Sequence, residues 1–363
     1  MEKQAKKVLL GMSGGVDSSV SAILLQKAGY EVVGATMRLW EAEDNQTSSA
    51  IHDAKRVCEK LGIPHHIIDC REKFKQKVMN QFIACYECAK TPNPCVECNK
   101  YLKFDEFYQA ALKIGCEYIA TGHYAKVEWS EEENQYVLKK SEACQKDQTY
   151  FLYNIDKKIL PKIIFPLQDF KEKDEIRQIA KEYGLLVANK PDSQEVCFIP
   201  DNNYVKFLEQ NDCKKQKPGN IILENGTIVG THKGLIHYTI GQRKGLGISY
   251  QEPLYVIRLD KENNQVIVGT EGQLYTDELE AEELNFLMDK LKDKPIHVTA
   301  KIRYRAKEAE ATVYPMKDQT VRVKFEKPQR AITPGQSIVF YLNDMVVGGG
   351  KIKTNINSHK TID

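Results

Sequence analysis

Residues 6–22, KKVLLGMSGGVDSSVSA, constrain the start of this chain more than any other stretch. Val8, Leu9 and Leu10 make a short apolar run of the kind that forms a buried strand. Ser13, Gly14 and Gly15 interrupt it, and glycine permits the positive φ and close backbone approach of a tight loop. From Asp17 or Ser18 to about Gly29, the apolar positions Val20, Ala22, Ile23 and Leu24 fit a helix. A strand, a glycine-serine loop and a helix N-terminus form a cradle for phosphate, because backbone N–H groups and the positive helix end converge on the anion. An ordinary glycine turn before a helix is the plainer reading of SGG alone. SGGVDSS directly after a strand favours the cradle. No Gly-Lys-Ser/Thr closes the loop, so it is not a Walker A loop.

The next elements repeat the same order. YEVVGATMRLW (30–40) reads as a strand, EAEDNQ as a polar loop, about Ser48 to Leu61 as a helix, and HHIIDC (65–70) as a strand. Alternating strands and helices predict a parallel sheet with right-handed crossovers, whose ligands sit at the carboxyl ends of the strands. Met37, near the end of the second strand, is thereby placed near a nucleotide, although core packing is the simpler role for a methionine. A helix from about Lys73 to Cys85 leads into CYECAKTPNPCVECNKYLKFDEF (85–107). Pro92 and Pro94 make Thr91–Pro94 a loop, and a helix is expected to resume at about Asn99 with Phe104, Phe107, Ala111 and Leu112 on one face. EYIA (117–120) is a strand that ends in the turn Thr121-Gly122-His123-Tyr124. Residues 127–140 read as a hairpin, Lys146 to Tyr150 open a helix, and further helices are expected at about 157–163 and 173–184. A polar stretch at 188–201 holds Cys197.

After about residue 205 helical periodicity gives way to short strands and glycine turns, including a hairpin turn at Asn225-Gly226. From about 281 the strands lengthen and alternate at roughly ten-residue spacing, which predicts a small closed β-barrel. The expected fold class is α/β: a Rossmann-like parallel-sheet domain (1–205), a small β-rich central linker domain (206–280) and a C-terminal β-barrel (281–363).

The 52 basic and 50 acidic residues leave a net charge of +2. That balance neither demands nor excludes a nucleic acid partner. No run of roughly 18 apolar residues exists to span a membrane. The N-terminus runs straight into the first strand without a signal or transit pattern, which makes the cytosol the expected compartment. There, the ten cysteines (58, 70, 85, 88, 95, 98, 116, 144, 197 and 213) are not a structural disulfide set. Cys58, Cys70 and Cys116 sit in apolar contexts and read as core fillers. The group at 85–98 has several readings. Cys85, Cys88, Cys95 and Cys98 have the C-x2-C pairs of a zinc site, although the gap between them is short and stiffened by TPNP. Cys98 and Cys197 would serve as a redox pair carrying persulfide sulfur. Cys95, Cys98 and Cys197 would serve as ligands to three irons of a [4Fe–4S] cluster. Four incidental thiols is the blandest alternative. An exposed, electropositive loop would favour the thiolate form.

SGGVDSS (13–19) resembles the PP-loop of the ATP pyrophosphatases, which cut ATP between the α and β phosphates and adenylate an oxygen. TPNPxxxCNKxxKF (91–104), ATGHYA (120–125), KDQTYFL (146–152), FPL (165–167), DSxxxCFI (192–199), YTIGQRKGLGI (238–248) and PGQS (334–337) extend the resemblance over essentially the whole chain, in order. Together they resemble the tRNA-specific 2-thiouridylases (MnmA/TrmU family).

The resemblance implies a tRNA-uridine 2-sulfurtransferase that replaces O2 of the wobble uridine, U34, by sulfur. ATP, with Mg2+, would lie on Gly11, Met12, Ser13, Gly14, Gly15, Val16, Asp17 and Ser18, with Met37 and Gly122 on the adenine-ribose side. Cys197 would accept sulfur from a persulfide donor protein, and Cys98 would release the product by forming a disulfide with it. Asn93, Pro94 and Cys95 would lie beside the target base. Lys146, Asp147 and Gln148 would touch tRNA, as would Arg303, Tyr304 and Arg305 on a barrel strand, where alternating arginines otherwise mark a solvated face. The implied acceptors are the Lys, Glu and Gln tRNAs. Cys95 departs from the family pattern, in which many members carry an acidic residue. The change gives the three-cysteine set of cluster-dependent tRNA thiolases, with Cys85 and Cys88 as an alternative pair. A different PP-loop synthetase would not need the paired cysteines or YTIGQRKGLGI. A non-catalytic tRNA-binding protein would not need an intact SGGVDSS, Cys98 and Cys197.

Overall fold

The computed structural model describes residues 5–40, 46–142, 146–190, 196–199, 201–211, 213, 217–289 and 294–356. Cys144, most of the expected loop at 41–46, and Asp192 and Ser193 of the DSxxxCFI motif lie outside the described residues. The chain forms two compact units. One holds Met1–Val78, Cys95–Phe198 and Asp344–Val346; the other holds Met79–Pro94, Ile199–Asn343 and Val347–Asp363. Among the described residues no helix is long and apolar enough to cross a membrane.

The first unit is built on strands β1 (Lys7–Gly11), β2 (Glu31–Arg38), β3 (His65–Asp69), β4 (Tyr118–Ala120), the hairpin β5 (Lys126–Ser130) and β6 (Gln135–Lys139), and β7 (Ile163–Ile164). Five of them form a sheet in the order β3-β2-β1-β4-β7. Every neighbouring pair is parallel: Leu9 lies opposite Val33 on one side and Ile119 on the other. The chain builds outward from β1 to β3, then returns to the far side of β1 to lay down β4. The carboxyl ends of β1 and β4 are therefore the switch point, where open α/β sheets bind ligands. Val8, Leu9 and Leu10 are fully buried, as their apolar run requires. Helix α1 (Val16–Lys27) follows the loop, and α2 (Gln46–Leu61) follows β2.

The cysteine segment folds differently from its expectation. The helix begins at Pro94, not near Asn99, so Cys95 and Cys98 are helical rather than in a loop. A proline suits the first turn of a helix, where its missing N–H has no partner to lose. Residues Asn99–Glu106 then continue as a wider π-helix before Phe107–Ile114 returns to α. Phe104, Phe107 and Ala111 are buried as expected, but Leu112 is 50 % exposed. The π turn shifts the register of the apolar stripe, which an unbroken 3.6-residue period cannot anticipate.

The second unit contains β8 (Gly219–Leu223), β9 (Ile228–His232), β10 (Tyr255–Asp260) and β11 (Gln265–Gly269), in the order β10-β11-β8-β9. β8 and β9 join at the expected Asn225-Gly226 turn. It also contains β12 (Tyr275–Phe286), β13 (Ile296–Lys301), β14 (Ala309–Pro315), β15 (Val321–Arg330), β16 (Ser337–Leu342) and all but the first two residues of β17 (Met345–Ile356). These follow one another as β12-β15-β14-β13-β16-β17, and β12 pairs back onto β17 to close a six-stranded barrel. Closure removes the sheet edges. Val298, Val313, Val323 and Phe340 are among its buried side chains. Phe340→Ala should lower stability by about 3–5 kcal/mol, since a fully buried ring leaves a cavity; a denaturant midpoint shift would measure it.

Candidate active site

The loop after β1 has the geometry of a cradle. Gly14 has φ +69°, and a Cβ there would lie 2.5 Å from the Ala50 carbonyl oxygen of α2. Glycine is therefore required on two counts, backbone conformation and space. The helix starts one residue earlier than expected, at Val16, with Gly15 as its cap. No side chain caps it, so its first N–H groups face the loop. Ser13 N donates to Ser18 Oγ at 3.2 Å, and the Ser18 and Ser19 hydroxyls donate to Gly15 O at 3.2 and 2.8 Å. These bonds fold the loop onto the helix without consuming the helix's own first donors. Met12, Val16 and Ser18 are buried and anchor it.

The turn after β4 lies against this helix start. A Cβ on Gly122 would come within 3.0 Å of Asp17 C and Ser18 N, so the approach needs glycine. Tyr124 OH donates to Asp17 Oδ1 at 2.9 Å. Gln148 Oε1 accepts from Tyr124 N at 2.9 Å, and Gln148 N donates to Tyr124 O at 2.9 Å. Gln148, expected at the tRNA surface, thus fixes the backbone of this turn. Asp147 is buried and accepts from Thr149 Oγ1 at 2.6 Å; Lys146 is half-buried. Met37 sits near the end of β2, opposite Ile68, and is half-buried.

Two lysines that the sequence reading did not single out meet the loop. Lys173 donates to both carboxylate oxygens of Asp17 at 2.5 Å, and Lys190 donates to Gly14 O at 3.1 Å and Asp53 Oδ2 at 2.8 Å. Both lie far along the chain from the loop, so spacing gave no signal for them.

Cys95 and Cys98, three apart on the Pro94–Cys98 helix, face the same side. Cys98 is buried, while Cys95 and Cys197 keep exposed surface. Protein nevertheless packs densely around all three thiols. Burial pushes Cys98 up to about 11 and Cys197 up to about 12, and raises Cys95 as well. Cys98, then Cys95, add to the rise at Cys197, so the three thiols share one neighbourhood. Lys103 opposes the rise at each of them. It also helps burial lower the pKa of His123, whose Nδ1 lies 2.8 Å from Thr121 Oγ1. Lys103 is the lysine that closes the TPNPxxxCNKxxKF motif, to which the sequence reading gave no role. An i to i+5 pair is out of phase on an α-helix, and the wider π turn brings Lys103 round toward the face of Cys98. Burial outweighs the opposing charge of Lys103 and favours the neutral thiol at Cys98 and Cys197, against the expectation of a readily formed thiolate.

Iodoacetamide labelling should report this. Modification of Cys197 should be slow at pH 7 and rise about tenfold per pH unit through pH 10. A thiol titrating near its ordinary value of 9.0 would level off there. A plateau below pH 8, read by peptide mass spectrometry, would contradict the assignment.

Among the described residues no three His, Cys, Asp or Glu side chains are grouped to hold a metal ion. Cys95, Cys98 and Cys197 supply the right donor type for an iron–sulfur cluster, but as placed they do not form a ligand set. Cys85 and Cys88 fall in the second unit. Burial pushes Cys85 up to about 11, and exposed Cys88 accepts from Lys261 Nζ at 3.5 Å.

In that second unit the TPNP loop meets the PGQS motif. Thr91 N donates to Pro334 O at 2.9 Å, and Gln336 Nε2 donates to the Thr91 and Pro92 carbonyls at 3.0 Å. Asn93 is half-buried and Pro94 buried. Arg303, Tyr304 and Arg305 lie in the turn after β13, not on a strand, because β13 ends at Lys301. Arg303 Nη1 donates to Arg330 O at 3.1 Å, Lys301 lies over the Tyr304 ring, and Arg305 is exposed.

Comparison with known proteins gives matches along the chain. Residues 6–201 match a family model described as the tRNA methyl transferase HUP domain. Residues 206–270 match the tRNA methyl transferase PRC-barrel domain, and 276–352 the aminomethyltransferase beta-barrel domain. The chain is similar to the tRNA-specific 2-thiouridylase MnmA of Acetivibrio thermocellus, with 51% identity over 96% of this chain and 99% of that protein. It is 50% identical to MnmA 1 of a Thermoanaerobacter species (98% and 100%) and 48% identical to MnmA of Clostridioides difficile (97% and 99%).

Proposed function

We infer what this chain does from the family it belongs to, that of the tRNA-specific 2-thiouridylases. It is a tRNA sulfurtransferase that uses ATP to thiolate uridine. The observation that carries the reading is that one compact unit holds both the glycine-required cradle at Gly14 and the thiols Cys98 and Cys197.

The finer steps follow from that chemistry. ATP enters as its Mg2+ complex and lies along Gly11–Ser18, with Met37 and Gly122 toward the adenosine. The C2 oxygen of U34 attacks the α-phosphorus, the α–β bridge breaks, and pyrophosphate leaves with the electron pair. The oxygen, now bonded to AMP, is a leaving group. Cys197 carries a sulfur delivered by a persulfide donor protein. Its terminal sulfur attacks C2 and AMP departs. The Cys98 thiolate then attacks Cys197 Sγ, which cleaves the S–S bond, leaves sulfur on C2, and forms a Cys98–Cys197 disulfide. A cellular thiol reduces that disulfide before the next turnover.

Asn93, Pro94 and Cys95 flank the base in this reading. Lys146, with Asp147 and Gln148, and the turn at Arg303, Tyr304 and Arg305 contact tRNA backbone. The acceptors are the Lys, Glu and Gln tRNAs, and the compartment is the cytoplasm. The working division remains 1–205 for adenylation and thiol chemistry, 206–280 as linker, and 281–363 as the barrel. A [4Fe–4S] cluster on Cys95, Cys98 and Cys197 would supply sulfide binding at an open iron. As placed the three cysteines do not fit it, and no step is assigned to it.

The test of the adenylation half is release of AMP and pyrophosphate. The expected result is release that requires tRNA bearing U34. ATP turnover equal with and without tRNA would overturn the reading.

A further inference from the structure

We propose that Lys77 and Lys100, gathered over the ring of Tyr101, form a phosphate-binding patch for the RNA backbone at the ligand edge of the parallel sheet. The proposal rests on the tRNA reading above and adds to it a contact surface made of residues that have had no role so far.

Topology places the patch. The sheet is parallel throughout, so the carboxyl ends of β1, β3 and β4 share one edge. Arg71–Phe74 is helical directly after β3, and Lys75–Met79 continues it as a π-helix that carries Lys77. A second π-helix, Asn99–Glu106, carries Lys100 and Tyr101. It runs on through Phe107–Ile114, which packs on β4 and leads to its amino end. The start of that helix therefore points toward the carboxyl edge, where the loop after β1 also lies. The wider turn that brings Lys103 toward the face of Cys98 carries Lys100 and Tyr101 away from it. The patch thus meets the strand that leads to the target base, not the base itself.

Charge selects the occupant. Lys77 Nζ lies 5.5 Å and Lys100 Nζ 5.3 Å from the centre of the Tyr101 ring. An aromatic face attracts an ammonium, and here one ring draws in two. Lys77 is exposed, and Lys100 and Tyr101 are half-buried. The neighbouring cations are paired: Arg71 Nη2 donates to Asp69 Oδ2 at 2.6 Å, and Lys73 Nζ donates to Asp105 Oδ2 at 2.9 Å and Glu106 Oε2 at 2.7 Å. Glu72 accepts from Gln76 Nε2 at 3.1 Å. Among the described residues no carboxylate pairs with Lys77 or Lys100. Two ammoniums held at one ring repel each other, and an anion between them turns that repulsion into attraction. A phosphodiester fits, because it carries one negative charge, stands outside the bases, and has oxygens that accept from lysine.

The test is equilibrium binding of an unmodified tRNA transcript to the full chain over a range of salt concentrations. Lys77→Gln and Lys100→Gln should each weaken binding roughly fivefold at low salt and lower the slope of log affinity against log salt by about 0.7–0.9, the share of one phosphate contact. Lys113→Gln, at the other end of the same helical run, should change neither. Tyr101→Leu keeps both charges and removes the ring that gathers them; it should weaken binding about twofold and leave the slope unchanged. Mg-ATP affinity should stay within about twofold of wild type in the lysine variants. An unchanged salt slope, or an equal loss toward Mg-ATP, would overturn the patch, and wild-type binding by Tyr101→Leu would remove the ring from it. Lysine acylation of the wild-type chain with and without tRNA, read by peptide mass spectrometry, needs no variant: tRNA should protect Lys77 and Lys100 and spare Lys113, and equal protection of all three would contradict the proposal. A wild-type chain that binds no tRNA would count against the family reading, whereas tight binding that the lysine variants share would count against the patch alone.

Discussion

Replacing Cys197 by serine should lower 2-thiouridine formation by at least about a thousandfold while leaving tRNA-dependent AMP release intact. The two halves of the reaction use different groups, so the variant should still adenylate the base and then stall. Water would return the adenylate to uridine, and ATP would be consumed without thiolation. Cys98→Ser should stall later, with sulfur already joined to the base and the enzyme still attached to it. Denaturing gel analysis should then show a thiol-sensitive protein–tRNA adduct for Cys98→Ser and none for Cys197→Ser. An adduct in both variants would place the nucleophile elsewhere. The burial that lifts Cys197 to about 12 and Cys98 to about 11 adds a pH signature. Both thiols are neutral at pH 7, and the fraction ionised grows as pH rises toward those values. A resolving step limited by the Cys98 thiolate should therefore speed up from pH 7 to pH 9, not level off between them.

Gly14→Ala should abolish measurable ATP binding. The left-handed backbone at φ +69° costs a non-glycine residue about 1–2 kcal/mol. The added methyl would also meet the Ala50 carbonyl at 2.5 Å, and overpacking of that kind costs about 1–3 kcal/mol more. The backbone can relieve the clash only by moving the loop away from α2, which misaligns the N–H donors of α1. Calorimetric titration with Mg-ATP is the measurement, with thermal unfolding alongside. A variant that binds ATP normally would mean that the loop is not the cradle. Gly122→Ala is expected to act in the same direction but more weakly, because its nearest contacts are at 3.0 Å.

Much of this site was legible in the sequence because it is local. A strand, two glycines and a helix start are adjacent in the chain, and their chemistry follows from short-range rules. The barrel was legible too, through alternation along Val321–Phe325 and the apolar run at Ile338–Tyr341. What sequence did not reveal depends on packing. The π-helix over Asn99–Glu106 has no composition signal, and it decides where Lys103 and Leu112 point. Burial around Cys98 and Cys197, two cysteines far apart in the sequence, opposes the expected ease of ionisation. The contacts of Lys173 with Asp17 and of Lys190 with the Gly14 carbonyl and Asp53 span more than 130 positions. Arg303–Arg305 looked like a strand by alternation, but β13 stops at Lys301. A turn and a strand end cannot be separated by a two-residue period over so few residues.

The most direct test of the account is a thiolation assay in iron-free buffer. Purified protein, unmodified tRNA transcript, Mg-ATP and a persulfide donor are incubated under nitrogen, and nucleosides are read by mass spectrometry. The account expects 2-thiouridine at position 34, one AMP for each sulfur transferred, and no product without ATP. Absence of 2-thiouridine in that mixture, with its appearance only after iron and sulfide are restored, would contradict the thiol relay.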